Sequence, residues 1–201
     1  MRWAPGCWLK VPFSESDPIA HTVSPYAATK LAGEALCRAY SHLYGMDIAV
    51  LRFFSVYGPR GRPDMAIYHF TEQMMKGEPI QMFGNGSSLR DYTYIDDIVQ
   101  GIVATTARDF GFEIFNLGEE ETISLRDLIE LIEKALGMKA KVEDRPEQPG
   151  DVPRTFADIK KACRMLGYDP QTGVHAGIPK FVEWYKKQAG KGEKSRMTER
   201  V

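Results

Sequence analysis

The chain has 201 residues, 43% of them hydrophobic and 26% charged, and a formal net charge of -1. That is enough for one well-cored domain of ordinary soluble composition. The balanced charge argues against a large nucleic-acid footprint or a membrane-surface role, which leaves small molecules and further copies of the chain as the expected partners.

Cys7, Cys37 and Cys163 are odd in number and far apart, and none has metal-ligand spacing with a histidine, so reduced thiols and no metal site are expected. The opening MRWAPGCWLK lacks the apolar run of a signal peptide, and no stretch reaches the length of a membrane span. The expected location is the cytoplasm. Glu15 to Val23 reads as a loop. Ser24 and Pro25 then supply a cap and first turn for a helix carrying an apolar stripe of Leu31, Ala35, Leu36, Ala39, Tyr40 and Leu43.

Within SPYAATK, Tyr26 and Lys30 stand four residues apart and project from one helix face. A phenol is only about one part in a thousand ionised at neutral pH. A neighbouring ammonium favours the phenolate and makes it a base able to take a proton from a hydroxyl. A solvated lysine beside a half-buried tyrosine is the plainer reading of the same pair.

DIAVLRFFSV, Asp47 to Val56, is a buried-strand pattern closing on Tyr57-Gly58-Pro59, and a helix feeding such a strand belongs to an α/β sheet. The basic loop GPRGRPD follows. Met65 to Lys76 reads as a helix ended by Gly77 and Pro79, and Ile80 to Phe83 as a short strand. G-N-G at 84–86 reads as a hairpin turn rather than a phosphate cradle. Asp96 is the expected N-cap of a helix from Asp97 to Thr106, and a metal reading of the Asp96-Asp97 pair lacks further ligands. Phe112 to Leu117 is a strand, and Ser124 with Asp127 caps a helix from Leu125 to Leu136. Ala140 to Arg145 is a strand, Asp158 caps Ile159 to Leu166, and Gly173 to Gln188 forms the last helix. GKGEKSRMTERV, from Gly190, has no apolar anchors and is expected to fray.

SPYAATK, then RFFSVYGPRGRPDMA, RDYTYIDDIV and PGDVPRTFAD, occur in an order that resembles the extended short-chain dehydrogenase/reductase family, and within it the UDP-glucuronate 4-epimerases. The resemblance implies a Rossmann-type α/β fold, NAD as cofactor, a UDP-sugar as ligand and a homodimer. It implies Tyr26 and Lys30 as the catalytic pair, with Lys30 also on the nicotinamide ribose. It implies Phe53 beside the nicotinamide, and Ser55, Arg90 and Asp151 on the sugar, the diphosphate and the nucleotide ribose. Phe53 and Ser55 read equally well as core strand residues, and Asp151 as a turn residue beside Gly150. Arg62 is the expected selector for a hexuronate, because a guanidinium fork holds a carboxylate in two parallel bonds; a solvated surface arginine is the alternative.

Two features of the family are missing from the pattern. No strand, glycine-rich turn and helix precede Tyr26 to hold the cofactor pyrophosphate. The Ser or Thr expected about 25 residues before the tyrosine falls in MRWAPGCW, which does not match. The expected architecture is therefore a partial Rossmann-type sheet lacking the dinucleotide-binding half over residues 1–62, and a small nucleotide-sugar lobe over 63–189. The expected activity is that of a C-terminal part of a 4-epimerase, not catalytic alone, with a UDP-sugar-binding module or an inert self-associating fragment as alternatives.

Overall fold

The computed structural model describes residues 11–19, 22, 24–147 and 152–198. Helix α1 spans Pro25–Tyr44. It opens as its sequence dictates, with the Ser24 hydroxyl accepting from the Ala27 N–H at 3.2 Å and Pro25 in the first turn, and it stops at Gly45 in the left-handed conformation (φ 63°). The chain then runs back as strand β1, Ile48–Phe53.

The apolar run read as one strand is two. At Phe54 the ladder changes partner. The Phe54 N–H still reaches Leu117 O at 3.2 Å, whereas the Ser55 N–H turns to Asp91 O at 3.0 Å. Strand β2, Ser55–Tyr57, therefore pairs in parallel with a strand at Tyr92–Tyr94, while β1 pairs in parallel with Phe112–Leu117, Ile48 opposite Phe112. In chain order the remaining elements are α2 (Ala66–Lys76), β3 (Ile80–Phe83), β4 (Leu89–Arg90), β5 (Tyr92–Tyr94), α3 (Ile95–Thr105), β6 (Phe112–Leu117), β7 (Ile123–Ser124), α4 (Leu125–Leu136), β8 (Val142–Arg145), α5 (Lys160–Leu166) and α6 (Val174–Thr198). This is an α/β fold whose strand pairs are mostly parallel.

Two hydrophobic clusters organise these elements. One lies under the β1–β6 pair, where Phe115, Leu117, Ile98, Ala162 and Tyr168 are buried together. The other joins α2, α4 and α6, with Ile67, Ile80, Leu128, Ile132, Ile178 and Phe181 at its centre. Burying a residue of this size contributes about 1.5–3 kcal/mol, so each cluster is a sizeable core.

Several expectations need correction. The 84–86 turn does not make a hairpin, because β3 pairs in parallel with β8 and β4 pairs antiparallel with β7. Its glycines serve packing instead: both have positive φ, and a Cβ on Gly86 would meet Met82 Sδ at 2.7 Å. Asp96 does not cap α3, which starts at Ile95 with Tyr94 in the cap position and no side-chain bond there. The apolar stripe on α1 faces solvent, with Leu36, Tyr40 and Leu43 exposed, and the helix buries Ala27 and Glu34 instead. The last helix runs past Gln188 to Thr198, into the stretch read as frayed. No described helix is long and apolar enough to cross a membrane.

Candidate functional site

Tyr26 sits in the first turn of α1 with 42% of its surface exposed, and the Lys30 ammonium lies 5.3 Å from its ring centroid. The i,i+4 spacing thus brings the cation onto the phenol ring, as the helix geometry requires. One turn further, Glu34 points into the sheet. Its carboxylate accepts two hydrogen bonds from Arg52 of β1, from Nε and Nη2, both at 2.8 Å, with side-chain exposures of 10% and 8%. Glu34 continues the line of Tyr26 and Lys30, so this clamp fixes the rotation of α1 on the sheet.

The loop after β2 packs against the start of α3. Gly58 (φ 141°) is required there, since a Cβ would lie 2.5 Å from Ile95 Cγ2. Arg62 is exposed, and its fork is already filled. Nε donates to Asp64 Oδ1 at 3.0 Å and Nη2 to Oδ2 at 2.5 Å. The guanidinium holds the Asp64 carboxyl below the usual carboxylate range, and Asp64 raises Arg62.

Phe53 and Ser55 line a narrow cavity of about 20 Å³ together with Arg52, Phe13, Asn116 and Thr155. That space holds about one water, not a ring. Arg90 is half-buried and donates through Nη1 to Leu89 O at 2.8 Å. A separate cavity of about 240 Å³ is lined by Phe83, Asn85, Ser87, Ser88, Glu147 and Val152, where the end of β3 meets the loop before β4. Asp151 and the opening residues 1–10, MRWAPGCW included, lie outside the described residues.

Asp91 and Glu119, which the sequence did not single out, form a cluster of carboxylates with Asp97. Asp91 is fully buried. Its Oδ1 accepts from the Glu119 N–H at 2.9 Å and the Thr93 hydroxyl at 3.3 Å, and its Oδ2 from the Ala157 N–H at 3.0 Å. Burial pushes its carboxyl up to about 6. Asp97 accepts the Gln171 and Thr172 N–H groups at 2.9 and 3.1 Å, so it anchors a loop and is not disposed as a metal ligand. Glu119 is raised to about 8, by burial first and then by Asp97, Asp91 and Glu121. Its Oε2 and the Tyr57 hydroxyl are buried without a hydrogen-bond partner among the described residues. Burial, with Glu119 next, also lifts the Tyr57 phenol far above its usual range.

The family model for "NAD dependent epimerase/dehydratase family" matches residues 7–118. The chain belongs to the NAD dependent epimerase/dehydratase family. Among the family's proteins it is 44% identical over 176 residues to a UDP-glucuronate 4-epimerase of Thermodesulfobacterium geofontis, covering 87% of this chain and 54% of that one. Its fold matches the crystal structure of a UDP-glucuronic acid 4-epimerase from Bacillus cereus in complex with UDP-glucuronic acid and NAD. There the TM-score is 0.82 at 38% identity, covering 88% of this chain and 56% of that one. An epimerase from Methanothermobacter thermautotrophicus matches with TM-score 0.87 at 33% identity, covering 94% and 58%. The chain spans about half the length of the curated relatives it matches.

The structure thus brings Tyr26 and Lys30 together on one helix face, and Phe53 with Ser55 to one small cavity. Arg90 lines neither that cavity nor the one at the end of β3. The sequence reading missed Glu34, Arg52, Asp91 and Glu119. A signal existed for the first two: an acid on the Tyr26–Lys30 line and a lone arginine inside IAVLRFF.

Proposed function

We propose that this chain supplies the base and the nucleotide-sugar side of a UDP-glucuronate-type 4-epimerase. The observation that carries the reading is the Tyr26–Lys30 pair on a helix clamped to the sheet. In this reading Tyr26 takes the proton of the sugar 4-hydroxyl, Lys30 stands beside it, and Arg62 orients the sugar through its carboxylate. Arg90 and Asp151 serve the diphosphate and the ribose, Ser55 the sugar, and Phe53 the nicotinamide side.

NAD supplies hydride acceptance and return in such a cycle. Tyr26 and Lys30 suit the nicotinamide ribose, but the described residues form no cradle for the pyrophosphate. The one G-x-G turn among them packs against Met82, Arg126 and Glu147, and leads into β4 instead of a helix. The cofactor as a whole does not fit these residues, so turnover requires a phosphate cradle from outside them.

Calorimetric titration with UDP-glucuronate and, separately, with NAD tests this. Heat from the sugar nucleotide alone is the expected result. Tight NAD binding by these residues would refute the statement about the cradle, and silence toward both ligands would refute the binding role. A second reading, a non-catalytic self-associating protein, is favoured by one observation, the exposed apolar residues Leu36, Tyr40, Leu43 and Tyr44 on α1. Both readings expect a homodimer or larger assembly.

A further inference from the structure

Arg62 already does to Asp64 what the proposed function asks it to do to a sugar. A planar guanidinium meets a carboxylate in a two-bond fork, Nε to Oδ1 at 3.0 Å and Nη2 to Oδ2 at 2.5 Å. Both side chains are mostly exposed, at 73% and 61%, so the pair is screened by water and opens at little cost. It sits in the loop between β2 and α2, where Gly58 packs against Ile95 and the Gly61 N–H bonds Gly58 O at 3.1 Å. On the nucleotide-sugar reading, a ligand carboxylate arriving at Arg62 meets an occupied fork, and with Asp64 in place the pair carries no net charge.

We propose that Asp64 is a resident carboxylate that fills the Arg62 fork and is displaced by the carboxylate of a hexuronate, which makes Asp64 a determinant of discrimination between hexuronates and neutral hexoses. The exchange breaks two hydrogen bonds to Asp64 and forms two to the ligand, and the freed Asp64 stands in water. A neutral hexose has nothing to exchange and leaves the fork closed. The inference rests on the nucleotide-sugar reading above and extends it to a residue that reading does not use.

Removal of Asp64 frees the fork. In Asp64→Ala the affinity for UDP-glucuronate rises, by up to about fivefold, the most an exposed ion pair contributes. The affinity for UDP-glucose stays the same. The part of any general gain from removing a negative charge that acts through the diphosphate, which both ligands carry, cancels in their ratio. In an Arg62→Ala background the Asp64 substitution has no further effect on that ratio, as a coupled pair requires. Calorimetric dissociation constants for the two ligands on the four proteins read this out. An equal change for both ligands, or no change for either, overturns the proposal.

A second measurement separates it from the function. The Arg62 Nε–H resonance of ¹⁵N-labelled protein is followed while free D-glucuronate is added. It responds in Asp64→Ala at lower concentrations than in the unsubstituted protein. An identical response in both proteins, or none in Asp64→Ala, overturns the proposal, whether or not UDP-glucuronate binds. Failure of the unsubstituted protein to bind either nucleotide sugar, with the Nε–H response as expected, refutes the functional reading alone.

Discussion

The Glu34–Arg52 clamp makes the sharpest stability prediction. Its carboxylate and guanidinium are both about nine-tenths buried and joined by two hydrogen bonds of 2.8 Å. Glu34→Ala strips a buried cation of its bidentate partner, a change that costs about 3–5 kcal/mol. For a domain of about 150–250 residues each kcal/mol moves the midpoint by about 2–4 °C, so the expected loss is about 6–20 °C. Replacing both members by apolar residues, Glu34→Leu with Arg52→Met, restores most of that loss, because desolvation of two charges is then no longer imposed. Thermal unfolding followed by circular dichroism at neutral pH measures all three proteins. A midpoint for Glu34→Ala within about 2 °C of the parent, less than 1 kcal/mol on the same scale, would refute the argument. So would a double variant no better than the single one.

Three further outcomes are expected. Glu119, held at about 8 in the fold against an ordinary 4.5, contributes stability below pH 4.5 that is lost as pH rises toward 8 and its buried form must ionise. Glu119→Gln therefore raises the midpoint at pH 9 and leaves it nearly unchanged at pH 5; an equal effect at both would contradict the shift. Gly177→Ala gains about 1 kcal/mol of helix propensity in α6, yet its Cβ would lie 1.9 Å from the Tyr57 Oη. The clash prevails, and a net loss of about 1–3 kcal/mol in urea unfolding is expected; a stabilised variant would show the helix shifts freely. Light scattering at micromolar concentration is expected to give a dimer or larger species that dissociates in Leu43→Lys, and a sharp monomer peak for the parent would count against self-association through α1.

Legibility in the sequence followed how local each determinant is. Helix α4 was readable to the residue because Ser124 and Asp127 signal its start within one turn. The Ser124 hydroxyl accepts the Asp127 N–H at 3.0 Å, and the two side chains meet at 2.6 Å. β3 and β6 matched their apolar runs for the same reason. The turn at 84–86 misled because two glycines announce a reversal and say nothing of which strands will pair. Asp97 was indistinguishable from Asp96 in sequence, and only the arrival of Gln171 and Thr172 gives it a task. Tyr26, Lys30 and Arg62 could be named from their chemistry and motif. The occupant of the Arg62 fork could not, since nothing in GPRGRPD orders one carboxylate over another.

Asp91 also bears on the order of events during folding. Its side chain waits for amides 28 and 66 positions downstream, and its own N–H for a hydroxyl at Thr155. Closing such loops is entropically costly and slow relative to local helix formation. A ribosome must release Ala157 before this junction can lock, so until then the carboxylate stays hydrated.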